Sequence, residues 1–211
     1  MGNALSIHSS LAPAALLRVL NGTAPDIVFS AATAVQESFR VRSAVRRVYR
    51  YFQAEGAHDF REWPKVARLF AGRVDVRSLG RGLPVGAPVW RTIESVTVSP
   101  GPEGAVLEVR APSFVWGMVR KIVAALREVE AGRVSINRLG AALQGRIRLT
   151  LPMAEPEPLV LWDVEYGIPW EYFWAGPNRH QLAWERARRE NLWTRQQVLG
   201  LILSRASTPG N

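Results

Sequence analysis

Residues 114–131 (FVWGMVRKIVAALREVEA) are the feature that most limits what this chain can fold into. Met118, Ile122, Ala125 and Val129 recur at spacings of three and four, and Val119, Val123 and Leu126 widen the same face. That period predicts an amphipathic helix whose apolar stripe must be covered by a second layer. Gly132 stops it. Arg120 lies beside the stripe near the helix start. A cation placed there needs an acidic partner or a cleft, because an unpaired buried charge is costly, unless its stem carries the charge out to water.

The rest of the pattern supplies that layer. Leu5 and Ile7 alternate with polar positions as a strand does. Pro13 suits a first helical turn, AALLRVLN (14–21) reads as a helix, and Asn21-Gly22 should end it. Strands are expected at 26–35 and 44–53, and a short helix around 64–71. Residues 77–88 hold three glycines and two prolines and read as a loop. A hairpin is expected from 89–98 and 104–111 about the turn 100–104. Ser135 can cap a helix over 135–144, residues 159–167 read as a buried strand, and 178–205 as one or two helices rich in Arg and Trp. The order predicts an α+β fold, a mixed or antiparallel sheet with helices on one face.

The 211 residues carry a formal net charge of +9, and 25 of the 27 basic residues are arginine. Arginine binds phosphate as a planar fork and stacks on bases, so a surface of this kind suits nucleic acid. A bias toward arginine codons would leave the same composition. The chain has no cysteine, which excludes a disulfide scaffold, a thiolate nucleophile and Cys-based metal sites. No apolar run reaches the ~18 residues a membrane helix needs. The three histidines show no metal-ligand spacing, no G-x-S-x-G element is present, and the glycines of 80–86 precede a strand, so nucleotide binding is discounted there. The expected compartment is the cytoplasm.

Residues 39–52 (FRVRSAVRRVYRYF) interleave arginines with aromatics. On a strand, one face can present Tyr49 and Tyr51 to an unstacked base while neighbouring arginines hold phosphates. The same pattern also describes a strand with its aromatic face in the core and a solvated basic face, and the residues alone leave both open.

Taken in series, seven motifs resemble the TruA-type tRNA pseudouridine synthases. They are Leu20-Asn21, Phe39 to Arg42, Arg47 to Tyr51, His58-Asp59-Phe60, Arg91-Thr92-Ile93, Phe114 to Val123 and Leu159 to Tyr166. Each is weak alone; their order is specific. The resemblance covers about residues 3–167 and leaves 168–211 unmatched. It implies that Tyr49 is the active-site tyrosine that stacks on the target base, and that Arg120 pairs with the catalytic aspartate. It implies that Leu159 closes the pocket floor, although the family usually has Gly before it and this chain has Pro158. Arg42, Arg50, His58 and Arg91 fall in segments resembling the RNA-facing cleft.

The resemblance also implies a pseudouridine synthase-like fold, tRNA as partner, isomerisation of uridine to pseudouridine in the anticodon arm, no cofactor, no metal, no membrane association and a homodimer. Its nucleophile is an Asp in a Gly-Arg-Thr-Asp-x-Gly-Val motif, and Asp26, Asp59, Asp75 and Asp163 lack that context. The expectation is therefore a truncated N-terminal half-domain, with 1–38 its remnant, 39–167 the catalytic-type domain and 168–211 a helical tail. The chain as written is expected to bind RNA without turnover. The alternatives are a non-catalytic RNA-binding homologue on the same scaffold, and a protein-interaction domain whose arginines reflect codon bias.

Overall fold

The computed structural model describes residues 3–206 other than 25, 55, 57, 102 and 173–175. In chain order the elements are α1 (Pro13–Thr23), β1 (Ala31–Ala32), β2 (Arg46–Ala54), α2 (Trp63–Ala67), β3 (Gly72–Asp75), β4 (Trp90–Ile93), β5 (Ser95–Gly101), β6 (Gly104–Ala111), α3 (Met118–Glu130), α4 (Ile136–Leu143), β7 (Leu159–Glu165), β8 (Glu171–Tyr172) and α5 (Arg179–Ala206). The fold is α+β, and the strands described pair antiparallel. The chain divides into two compact units, one of residues 1–6 and 40–167, the other of 7–39 and 168–211.

The first unit is built on a four-stranded sheet in the order β5-β6-β2-β7, with β3 and β4 forming a separate ribbon. Side chains alternate across β2, β5 and β6, so one face gathers Tyr51, Val96, Leu107 and Val109, all buried. Helix α3 supplies the covering layer that its periodicity called for. Met118, Ile122 and Leu126 are at most 1% exposed and join the same core as Tyr51, Trp63 and Phe70. Burying each such side chain contributes roughly 1.5–3 kcal/mol. The other face is charged. Arg46 pairs with Glu94 and Glu165, while Arg50 and Arg110 share Glu108. An antiparallel sheet with one face packed and one wet accounts for this division.

Several expectations change. The expected hairpin strand over 89–98 breaks at Glu94 into two: β4 pairs with β3 and β5 with β6. The alternation runs through both, but they find different partners. The short helix over 64–71 turns from α to 3₁₀ at Arg68. Strand β7 lies at a sheet edge and is half-buried rather than buried. Ser135 caps α4 as expected, its Oγ accepting the Arg138 N–H at 3.3 Å.

In the second unit, Pro13 occupies the first turn of α1, and the helix runs past Asn21-Gly22 to Thr23. Of the strand expected over 26–35, only Ala31–Ala32 enters a ladder, with Glu171–Tyr172; Ile27 and Val28 are about half exposed. Asn21 organises this unit. Its side-chain amide donates to the carbonyls of Leu17 and Phe29, its Oδ1 accepts from the Phe29 N–H, and its own carbonyl accepts from Asn178 at 2.6 Å. Asn178 then caps α5 by accepting from the His180 and Gln181 N–H groups. The strand expected at Leu5–Ile7 is not formed: both side chains are exposed and neither residue lies in a ladder.

Candidate active site

Tyr49 sits in the middle of β2, on the face that α3 covers. Its ring meets Phe114 edge-on, with centroids 4.8 Å apart at 72°. It is half-buried, and its hydroxyl has no hydrogen-bond partner among the described residues. Across the strand pair, Tyr49 faces Leu161 and Tyr51 faces Leu159, so Leu159 shares the Tyr49 face and packs on the core. A register shift between Val48 and Tyr49 puts this stretch beside a bulge.

Gly117 starts α3 in the left-handed region at φ 77°, a conformation that glycine adopts without strain. A Cβ there would also meet the Met153 methyl at 2.6 Å. The helix head is thereby held against the segment 152–155. Arg120, one turn on, donates from Nε to the Ala154 carbonyl, and the Ala154 N–H donates back to the Arg120 carbonyl at 3.3 Å. Arg120 is half-buried and has no carboxylate partner among the described residues.

One heptad further along the same helix face, Arg127 makes four hydrogen bonds. It donates to Gln53 Oε1 at 3.0 and 2.6 Å, to the Tyr51 hydroxyl at 3.3 Å and to Glu155 at 2.8 Å. The Tyr51 hydroxyl donates to Glu155 at 3.2 Å. Burial pushes the Tyr51 phenol up. The Glu155 carboxyl is pulled down to about 2, first by a bond from its own backbone N–H and then by Arg127.

These contacts fix the direction of α3 over the sheet. Arg127 lies at residues 51–53 of β2, while Phe114, just before the helix, lies on Tyr49. Seven residues back along a helix is about 10 Å, and two to four residues back along a strand is about 7–13 Å. Arg120 and Tyr49 therefore stand at the same end of α3. A cavity of about 520 Å³ runs beside the helix, lined among others by Ala124, Arg127, Met153, Ala154 and His58.

The remaining sequence candidates scatter. Arg50 is on the opposite face of the sheet from Tyr49, paired with Glu108 at 2.7 Å, its guanidinium 3.8 Å over the Trp162 ring. His58 lies at the far end of α3, where its Nδ1 is 2.8 Å from Glu130, which also accepts from the Trp63 indole N–H at 3.2 Å. Arg91 is in the β3–β4 ribbon and folds back onto the Pro88 and Trp90 carbonyls. Arg42 is exposed in a 3₁₀ turn at Val41–Ser43, and its carbonyl accepts from Arg47.

Sequence reasoning missed Arg127 and Glu155; the seven-residue spacing from Arg120 was the available signal for Arg127. It also passed over Asp75, 1% exposed and bidentate with Arg77. Burial alone would raise that carboxyl, but the Arg77 side chain and backbone N–H outweigh it and hold it low. Among the described residues no cluster of three or more His, Asp or Glu side chains is placed to hold a metal ion. No helix among them is long and apolar enough to cross a membrane.

A half-exposed tyrosine and a partly buried arginine at one end of a helix-on-sheet layer define a basic α+β scaffold of a kind that suits nucleic-acid chemistry. A family model described as tRNA pseudouridine synthase matches residues 66–167. The tRNA pseudouridine synthase A of Methanosphaerula palustris is 30% identical over 192 residues, which is 90% of this chain and 67% of that protein. Those of Thermococcus gammatolerans and Thermococcus sibiricus are 34% and 32% identical over 149 and 173 residues, covering 70% and 81% of this chain. The chain belongs to the tRNA pseudouridine synthase family. It spans 55% and 65% of the length of the two Thermococcus relatives.

Proposed function

We propose that this chain carries the base-binding half of a tRNA pseudouridine synthase site, with Tyr49, Arg120 and Leu159 at its centre. The observation that carries the reading is that Tyr49 and Arg120 share one end of α3, on the sheet face to which β7 contributes Leu159. A uridine of the tRNA anticodon arm is flipped out of its stack, at a cost of a few kcal/mol. Tyr49 stacks on the extruded base, and Leu159 forms the floor. The reaction breaks the bond between C1′ and N1 and re-forms it from C1′ to C5; the hydrogen at C5 leaves as a proton and N1 gains one. An aspartate assists, as nucleophile or through a glycal. Arg120 would keep that carboxylate ionised, since an adjacent cation lowers its pKa. No cofactor or metal enters the scheme.

Among the described residues no carboxylate faces Arg120. Asp59 is on Arg61 and Asp75 on Arg77. The chain as written is therefore proposed to bind tRNA without turnover, in the cytoplasm and as a homodimer. Of the remaining sequence candidates, Arg42 is exposed and free to meet RNA, and His58 lines the cavity beside α3. Arg50 and Arg91, already engaged, are assigned to RNA contact only at their own surfaces.

The test uses tRNA transcript labelled with tritium at C5 of uridine. The chain alone should bind in a salt-sensitive way and release no tritium. Joined in frame to a family segment bearing the Gly-Arg-Thr-Asp motif, it should release tritium and form pseudouridine. Release by the chain alone would overturn the inactive reading. Binding without release by the joined form would favour the non-catalytic RNA-binding alternative. Absence of binding would overturn both. Light scattering of the purified chain at micromolar concentration checks the dimer.

A further inference from the structure

A second surface lies just ahead of Arg120 and plays no part in the scheme above. Trp116 is 61% exposed. Arg81 holds its guanidinium 5.4 Å from the ring, and its backbone N–H donates to the Trp116 carbonyl at 3.1 Å. The loop bearing Arg81 is pressed against this strand-to-helix segment. A Cβ on Gly80 would meet Val115 at 2.8 Å, so the close approach depends on glycine there. The arrangement is thus preorganised, with Arg81 beside the indole and most of the ring open to solvent.

Two more cations converge on the same place. Lys121 Nζ reaches the Ser78 carbonyl at 3.5 Å, and the Ser78 hydroxyl accepts the Leu149 N–H at 2.9 Å. Ser78 therefore ties the first turns of α3 to the segment carrying Arg148. Burial lowers the Lys121 pKa, and the charges of Arg148 and Arg81 lower it further. Among the described residues none of these three cations has a carboxylate partner. Asp75, which feels Arg148, is already bidentate on Arg77. The first turn of α3 has no acidic residue and no side-chain cap, so the positive end of the helix dipole is uncompensated. Gathered like charges cost folding energy through mutual repulsion, and they raise the local concentration of anions.

We propose that Trp116, with Arg81, Lys121 and Arg148 around it, is a docking surface for the RNA strand next to the reacting nucleotide, the indole stacking an unpaired base and the cations holding its phosphates. The proposal rests on the RNA-modifying reading of this chain. The alternation of one exposed aromatic with several unpaired cations fits single-stranded RNA better than a duplex, whose bases offer no free face.

The experiment is fluorescence anisotropy with a labelled RNA stem-loop and with a fully paired duplex of the same length. The proteins are wild type, Trp116→Ala, Trp116→Phe and the double variant Lys121→Ala/Arg148→Ala. Arg110→Ala, on the opposite sheet face, is the control. Trp116→Ala should weaken the stem-loop about tenfold and the duplex little, with Trp116→Phe close to wild type. The double variant should lower the slope of log affinity against log salt by about 1.4, two contacts at about 0.7 each. Equal losses on stem-loop and duplex for Trp116→Ala would mark a general polyanion surface and overturn the stacking assignment. Variants matching wild type, with unfolding midpoints unchanged, would overturn the patch as a whole. Wild-type binding to tRNA is scored separately: if it persists while the variants have no effect, the patch fails and the functional reading stands, and if it is absent, both fail.

Discussion

The two arginines on one face of α3 differ in what surrounds them. Arg127 is locked into Gln53, Tyr51 and Glu155, with its side chain 21% exposed. Arg120, seven residues earlier, donates to a single backbone carbonyl and faces no acid among the described residues. The same contrast extends along the helix. At its C-terminal end Glu130 is shared by His58, Trp63 and the Asp59 N–H, and Glu128 pairs with Arg133. At its head, Lys121, Arg81 and Arg148 gather with no carboxylate partner among the described residues. A satisfied charge network fixes geometry, whereas an unsatisfied one leaves binding energy for a ligand. The helix is thus anchored at one end and available at the other.

The largest effect should come from breaking that contrast at its reactive end. In the form joined to an aspartate-bearing segment, Arg120→Ala is expected to cut tritium release by about 100- to 1000-fold. In the chain as written it should cost about 1 kcal/mol or less in urea unfolding, since one hydrogen bond is lost. A loss of about 3 kcal/mol or more would instead indicate a buried pair with another acid. Tyr49→Phe keeps the stacking ring but removes the hydroxyl proposed to take part in proton transfer at C5, and is expected to lower turnover of the joined form by about 100-fold. The unfolding midpoint should not move, because the ring still meets Phe114 edge-on. Unchanged turnover would remove Tyr49 from the site.

Arg127→Ala should behave in the opposite sense. It strips partners from Gln53, 8% exposed, and from the fully buried Tyr51, and is expected to cost about 2 kcal/mol. Leu126→Ala, beside it in the core, gives the benchmark at about 3 kcal/mol. If Arg127→Ala unfolds no more easily than Arg120→Ala, the anchored end is not anchored. The smallest effect is with pH. The Glu155 carboxyl is held at about 2 in the fold against an ordinary 4.5. Its contribution is present above pH 4.5 and is lost as pH falls from there toward 2. The carboxylate is largely exposed, so the change is modest. Glu155→Gln should flatten the acid limb of the unfolding midpoint.

Much of the first unit was legible in the sequence because its signals were local. The three-and-four spacing of Met118, Ile122, Ala125 and Val129 predicted α3 and its buried side. Ser135 announced the start of α4 through a cap that needs only the next few residues. The arginine-aromatic strand was found, but its two faces were not told apart. Tyr49 and Arg50 are neighbours in sequence and were both expected in the cleft, yet a strand sends them to opposite sides. The apolar run at 26–35 reads as a strand because propensity reports fitness for a ladder and not whether a partner exists. The break at Glu94 escaped for the same reason.

By itself, the sequence determined the class of fold, the long helix with its arginine, the basic charge and the motif series that marks the family. These depend on residue type and short spacing, and neither changes when the chain folds. The tertiary structure alone decided which arginines are spent on partners and which stand open. That depends on Glu155, Gln53, Ser78 and Arg148 arriving from distant parts of the chain, and charge pairing is set by distance in space rather than separation along the backbone.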